Sequence, residues 1–475
     1  AQSDWTVMVY LAADNDLEDC AIDDFLEMAQ VGSNDDLKIV VLLDRTPGYD
    51  DRYNNWTDTR RGLVMAGDTP GSTWGTSLGE KNTGAAATVS EFANWAMATY
   101  PATRYAFIFW NHGNGWRTQA LAALRELRAA ADPAARAAAA DRLRSLAGVA
   151  FAESEPADET ELLAAIARRV KAVCWDDSSG GDALTVKEVQ QAIAAFTDTI
   201  DLVGFDACLM GMIEVGYQLR NSGAEVMVAS EETIPGEGWP YHTLLDDLKN
   251  DSTATAEAFG TYIVDRYYAS VGNDLTLSAV ALDEYGSLGG LVDTLATTLI
   301  NSWNTDEAAV RDAAQDVLDE LDIAILCNRS GAGGYAGAFG VSISFPATGS
   351  ETGYTAANLD FVANTAWGDF LNAYAANMGG SWIAIVRAAT QIFDDDTYLD
   401  LYDFCRKLVN YHPPQQGYTE TRESTTGLLG GGVAQGWRDD DHCWQYNLPF
   451  SFSFYGVEYT QVYVCSNGYL DFANA

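Results

Sequence analysis

The stretch at 200–216, IDLVGFDACLMGMIEVG, limits what this chain can fold into more than any other. Residues 200–205 are a short apolar run, the pattern of a strand buried on both faces of a parallel sheet. Asp206-Ala207-Cys208 ends the run, and residues 209–219 then carry apolar side chains at helical spacing. Such a strand-to-helix handover places Cys208 at the carboxyl edge of a sheet, where open α/β folds bind their ligands. A helix N-terminus at that point is expected to lower the thiol pKa and favour the thiolate. The competing reading is a small core hydrophobe, which most free cysteines are.

A partner for the thiol lies upstream. Residues 104–110 form a second apolar run, which ends in Asn111-His112-Gly113. Of the four histidines, only His112 directly follows a buried-strand pattern; His242, His412 and His442 sit in polar or Pro-rich surroundings. Two parallel strands ending side by side would bring His112 and Cys208 together, the geometry a Cys/His nucleophile requires.

These segments resemble the clostripain-type cysteine peptidases (family C11), in the clan that also holds caspases, legumains, gingipains and separase. The matching residues are WTVMVYLAADNDL at 5–17, WNHGNGW at 110–116, CWDD at 174–177, FDACLM at 205–210 and SEETIPGEGWPY at 230–241. They run in family order over roughly residues 5–380, with one interruption. The resemblance implies a caspase-like α/β fold, with a parallel-dominated sheet flanked by helices on both faces. It further implies an endopeptidase in which Cys208 is the nucleophile and His112 the general acid and base. The backbone N–H groups of Gly113 and Cys208 are then the expected oxyanion hole. Cleavage after Arg or Lys is implied as well, and the family motif assigns Asp206 to the floor of the S1 pocket. A buried cationic side chain needs such a carboxylate, because leaving it unpaired costs several kcal/mol. Glu231, Glu232 and Glu237, in the loop expected to wall the pocket, are weaker candidates for the same role, and Glu237 is retained beside Asp206.

Some clostripain-like enzymes need calcium. Asp14, Asp16, Asp176, Asp177 and Asp182 offer oxygen ligands near expected strand ends, but without EF-hand spacing they define no ligand set. The dyad chemistry itself requires no cofactor. Two other classes compete with the peptidase. One is a catalytically silent, peptidase-like binding or adhesion protein, which an intact Cys208 and His112 disfavour. The other is a serine esterase, for which no Gly-x-Ser-x-Gly elbow follows any expected strand.

Charge restricts the partners. With 68 acidic against 27 basic residues the net charge is −41, which disfavours nucleic acid, since phosphate contacts need Lys and Arg. The same field steers cationic peptides, the expected substrates, although a solubilising surface explains it equally well. No run approaches the roughly 18 apolar residues that cross a bilayer. The sequence opens at Ala1-Gln2-Ser3 without a Met or a signal peptide, as expected of a mature secreted or cell-surface protein. Oligomeric state is not legible.

Along the chain, strands and helices alternate at the spacing of βαβ crossovers. Strands are expected at 5–13, 37–44, 104–110, 200–205, 224–230, 276–282 and 337–345, and an edge piece at 61–67. Helices are expected at 17–31, 86–99, 184–196, 209–219, 251–270, 284–303, 306–321 and 359–378. Residues 118–169 break the pattern, with 19 alanines, seven arginines and eight acids in 52 positions. The spacing predicts two surface helices there, an insertion within a peptidase domain over 1–380. Peptidases of this family are often cut between the His strand and the Cys strand, and Arg168, Arg169 and Lys171 are the expected processing sites. Residues 381–429 read as a helical extension and linker. Residues 430–475 read as the start of a β-sandwich-like accessory module, in which Cys443 and Cys465 are the one pair considered for a disulfide.

Overall fold

Five strands, each apolar along nearly its whole length, build the middle of the protein. The computed structural model describes residues 2–117, scattered positions between 125 and 139, residues 173–376 except 272–274, 303–306, 332–334, 336, 347–348 and 352, then 397–410 and strands within 443–471. The five are β1 (Ser3–Ala13), β2 (Leu37–Arg45), β5 (Ala102–Trp110), β8 (Leu202–Asp206) and β9 (Val226–Ala229). They lie parallel in the order β9-β8-β5-β1-β2. Antiparallel strands extend the sheet at both edges: β3 (Thr59–Leu63) and β4 (Thr76–Ser77) beyond β2, β10 (Thr276–Ala281) and β11 (Ile325–Ser330) beyond β9.

Helices cover both faces, which is why the central strands read as continuous rather than alternating apolar runs. Trp5, Val7, Val9 and Leu11 of β1 point to one face. There they join Ala21, Phe25 and Met28 of α1 (Glu18–Val31), Leu245 of α5 (Tyr241–Asn250), and Phe259 and Ile263 of α6 (Ala256–Val271) in one core. Tyr10 points the other way and packs its ring on Phe92 of α2 (Ala86–Thr99). Each fully buried Val, Leu, Ile or Phe contributes about 1.5–3 kcal/mol relative to exposure. A capping box at Thr185 and Glu188 starts α3 (Val186–Ala194) on that second face.

The expected elements are mostly present, with instructive exceptions. The helix expected from 17 begins at Glu18, after a turn in which Asn15 Oδ1 accepts the Leu17 N–H at 3.0 Å. The strand expected at 337–345 shrinks to Ser342–Ser344, and the helix expected at 359–378 is two, Asp360–Asn364 and Trp367–Ala376. The sequence reading missed β11 altogether. Residues 398–400 pair with 342–344, and the helix Leu401–Val409 follows directly. The chain therefore divides after Val409, with Ala1–Val409 one compact unit and Asn410–Ala475 another. This assigns part of the expected 381–429 extension to the first unit. In the second unit an antiparallel pair, Cys443–Phe454 and Val457–Cys465, sets Cys443 opposite Cys465. Most of the 118–169 segment, with Arg168, Arg169 and Lys171, lies outside the described residues.

Candidate active site

Strands β5 and β8 end in register, Trp110 beside Asp206, and the Asn111 N–H donates to the Asp206 carbonyl at 3.2 Å. His112 and Cys208 each follow by two residues, so equal strand ends carry them to the same depth at the carboxyl edge. One crevice is lined by His112, Cys208 and Asp206 together with Trp110, Ile234 and Gly238. The structure thus brings His112 and Cys208 to the same crevice. Gly113 fits it closely: a Cβ at this position would stand 2.3 Å from the Cys208 carbonyl oxygen and 2.9 Å from its nitrogen. Only glycine allows the two backbones to approach so near, and this brings together the two residues expected to form an oxyanion hole.

The surroundings of the thiol differ from the expectation. The helix after β8, α4, spans Ile213–Leu219 rather than beginning at 209. Residues 209–211 are instead drawn along the chain beyond β9, with Leu209 N–H donating to Glu232 C=O at 3.1 Å and Gly211 N–H to Ser230 C=O at 2.7 Å. Leu209 takes a positive φ of 62° to make that turn. Cys208 thus precedes the helix by five residues and receives none of its dipole, which acts only within the first turn. Burial pushes its thiol pKa up, the Asp206 and Glu232 carboxylates push the same way, and the Ile234 N–H, donating to Sγ at 3.3 Å, partly offsets them.

His112 reaches across to the first loop, where its Nε2 lies 2.9 Å from Asp16 Oδ1. Asn111 Oδ1 accepts the His112 backbone N–H. Its amide straps the loop to neighbouring backbone, bonding the carbonyls of Ala12 and Trp175 and accepting the Trp175 N–H at 3.1 Å. Asp16 stood in the sequence only among acids that offer oxygen ligands, with no ligand set assigned, and no local signal marks it as a partner of His112.

Asp206 is buried at the crevice, where its Oδ2 accepts the Trp239 N–H and the Tyr241 O–H, both at 3.0 Å. Burial raises its carboxyl pKa to about 7, partly opposed by those two donors. Asp24 of α1 lies beside it: burial and Asp206 itself raise its pKa strongly, and the Trp110 Nε1–H donates to it at 2.6 Å. Both carboxylates crowd Gly238, where a Cβ would meet Asp206 Oδ2 at 2.9 Å and Asp24 Oδ2 at 3.0 Å. Asp24 was missed, although an acid among Ala21, Phe25 and Met28 on the apolar stripe of a helix was the signal. Glu237, by contrast, is exposed and stands outside the residues lining the crevice. Glu231 and Glu232 are buried structural groups: Glu231 accepts the Gly340 N–H at 2.7 Å, and Glu232 accepts the Tyr398 O–H at 2.6 Å.

The acids suggested for calcium separate. Asp16 goes to His112, Asp177 accepts from Tyr49 Oη and Trp175 Nε1 at 2.9 Å each, and Asp182 binds Asn82 and Arg125. Asp14 and Asp176 instead join Asp44 and Glu80, which the sequence did not single out, in a cluster whose carboxylate oxygens lie within 4.8 Å of one another.

The clostripain family profile matches residues 9–129 and 162–421, so the interruption falls inside the Ala/Arg-rich segment. A NIDO-related profile matches residues 414–475. The clostripain of Hathewaya histolytica is 27% identical over 350 residues, which is 64% of this chain and 57% of that protein. Among solved structures, a secreted C11 cysteine protease from Bacteroides thetaiotaomicron, bound to an irreversible peptide inhibitor, is similar at 19% identity. That match has a TM-score of 0.48 and covers 72% of this chain and 92% of that one. An inactive zymogen C11 protease from Parabacteroides distasonis is similar at 16% identity and a TM-score of 0.45, over 70% of this chain and 85% of that one. With both halves of the candidate site inside the matched segments, the chain belongs to the clostripain family, peptidase family C11.

Proposed function

We propose that this chain is a secreted or cell-surface cysteine endopeptidase that cleaves peptides after Arg or Lys, with Cys208 and His112 as its dyad. The observation that carries this reading is the single crevice lined by His112, Cys208 and Asp206. His112 takes the proton from the Cys208 thiol, and the thiolate attacks the scissile carbonyl. The N–H groups of Gly113 and Cys208 hold the oxyanion as it develops. The imidazolium then protonates the leaving amine, and a thioester remains on Sγ. Water, deprotonated by the imidazole, attacks the thioester and restores the thiol. Asp16, with Oδ1 2.9 Å from Nε2, keeps the ring in place. Asp206, poised between neutral and ionised, takes its charge when a guanidinium or ammonium enters.

Replacing Cys208 by Ala is the direct test. The variant should fold, fail to react with a thiol-directed peptidyl probe ending in Arg, and lose hydrolysis of basic peptides; His112→Ala should lose hydrolysis likewise. Hydrolysis retained in Cys208→Ala would refute the assignment. The same variant tests self-processing after Arg168, Arg169 or Lys171, for which tethering supplies an effective substrate concentration of about millimolar. Two fragments on a gel of stored wild type, with a new N-terminus between 118 and 174 and absent from Cys208→Ala, are expected. A single band in active wild type would refute processing.

A further inference from the structure

Residues beyond 380 read from the sequence as an extension outside the peptidase domain, yet the strand Tyr398–Asp400 belongs to the first compact unit. It pairs antiparallel with Ser342–Ser344. Ser342 in turn bridges Met212, and its N–H donates to the Gly211 carbonyl at 2.9 Å. Gly211 and Leu209 donate onward to the carbonyls of Ser230 and Glu232. Backbone hydrogen bonds therefore join 398–400, 342–344, 209–212 and 230–232 in series, and Cys208 stands at the head of the third segment.

The turn held in this way would not hold itself. Leu209 has a φ of 62°, a left-handed conformation that a residue with a Cβ keeps only where its surroundings over-determine it. The constraint on Leu209 is the Glu232 carbonyl, which accepts its N–H at 3.1 Å. Glu232 is itself buried and fixed by its side chain: Oε2 accepts the Thr233 N–H at 3.1 Å, and Oε1 accepts the Tyr398 O–H at 2.6 Å. A hydrogen bond to a buried acid in a site of low dielectric is among the stronger kind. Two residues after Glu232, the Ile234 N–H donates to Cys208 Sγ.

The same tyrosine reaches the histidine side. Arg117, five residues after His112, lies over the Tyr398 ring at 5.4 Å, and its Nη2 donates to the Thr397 hydroxyl. Between His112 and Arg117 the loop presses on the Cys208 turn. A Cβ on Gly115 would stand 2.4 Å from Met212 Sδ and 2.9 Å from the Leu209 carbonyl oxygen. We propose that Tyr398 is a positioning residue for the reaction, bridging the loop after His112 through its ring and the turn after Cys208 through its hydroxyl. Its role rests on the proposed dyad. It sets the spacing of the thiol, the imidazole and the Gly113 and Cys208 N–H groups while touching no substrate.

Tyr398→Phe keeps the ring beneath Arg117 and removes the hydroxyl; Thr397→Val removes the acceptor of Arg117. On a basic peptide, Tyr398→Phe should lower kcat and kcat/KM together by about 10–100-fold with KM within about three-fold, because a misplacement of about 1 Å at the reacting atoms costs on that order. Thr397→Val should act in the same sense, by about ten-fold. In full-length Cys208→Ala protein, which cannot cut itself, adding Tyr398→Phe should speed amide hydrogen exchange over 209–211 by about ten-fold or more and leave 202–206 unchanged. A kcat within about two-fold of wild type in Tyr398→Phe, or exchange over 209–211 no faster than in its parent, would overturn the proposal and leave Tyr398 a support for the fold alone. If wild type hydrolyses no basic peptide, the peptidase reading fails, and the exchange measurement by itself decides whether Tyr398 holds the turn.

Discussion

Asp206 shows how one side chain can be costly to fold around and yet useful. With no cation beside it, burial lifts its pKa to about 7. The free enzyme therefore begins to lose the charge that should recognise Arg or Lys as the pH drops below that value. The ratio of kcat/KM for an Arg substrate to its citrulline counterpart should accordingly fall as pH decreases from 8 to 5.5. The ratio cancels titration of the dyad, which both substrates share. Asp206→Asn should lower that ratio by about 10²-fold at pH 8, a loss of roughly 3 kcal/mol of charge recognition. Equal losses on both substrates would show that Asp206 only supports the strand end. The same substitution should raise stability at pH 8 by about 1–3 kcal/mol, since it removes an uncompensated buried charge.

At the level of elements, the packing of α4 comes from glycines set against large rings. In α4 a Cβ on Gly216 would lie 2.2 Å from the Tyr285 ring, and in the facing helix (Tyr285–Ser302) a Cβ on Gly289 would lie 2.2 Å from the Tyr217 ring. Each helix thus notches to receive the other's tyrosine. Gly to Ala inside a helix ordinarily stabilises by about 0.5–1 kcal/mol. Here Gly216→Ala should reverse that sign and destabilise by about 1–3 kcal/mol, because a fully buried ring has nowhere to move. Urea unfolding monitored by circular dichroism checks this, and an unchanged or raised midpoint would refute the interlock. Glu214 in the same helix accepts from Ser344 N–H and Tyr354 O–H, both at 2.9 Å, tying α4 to the strand at 342–344.

At the scale of the molecule, buried acids among the described residues accumulate beyond those at the candidate active site. Burial raises Glu214 and Asp400 to about 7, and Glu231, beside Asp400, is raised strongly by burial and by that neighbour. A carboxyl whose pKa is higher folded than unfolded binds more protons in the native state between the two values. Stability from these groups is thus fully present below about pH 4 and lost as pH rises through about 7. The net charge of −41 adds repulsion in the same direction. In EDTA, the Tm of Cys208→Ala should be lower at pH 8 than at pH 5.5 by roughly 5–10 °C. Added salt of about 0.5 M should recover only part of the difference, because buried groups are poorly screened. A Tm independent of pH over this range would contradict the raised pKa values of these carboxyls.

The sequence by itself determined the central sheet and marked His112 and Cys208 as the proposed dyad. Continuous apolar strands have little choice but to be central, and a residue just past the end of such a strand is carried to its carboxyl edge. His112, Cys208 and Asp206 were legible because each lies within two residues of a strand end, a local relation. Asp16 on His112, Asp24 beside Asp206, and Asp44 with Glu80 beside Asp14 and Asp176 were not, since each contact joins segments distant in the chain. Nor did local spacing reveal that α4 starts late. Residues 209–212 are apolar enough for a helix, and only the open backbone beyond β9 supplies the hydrogen bonds that draw them out of one. Propensity and periodicity report what a segment can bury; tertiary packing decides which partner its polar groups meet.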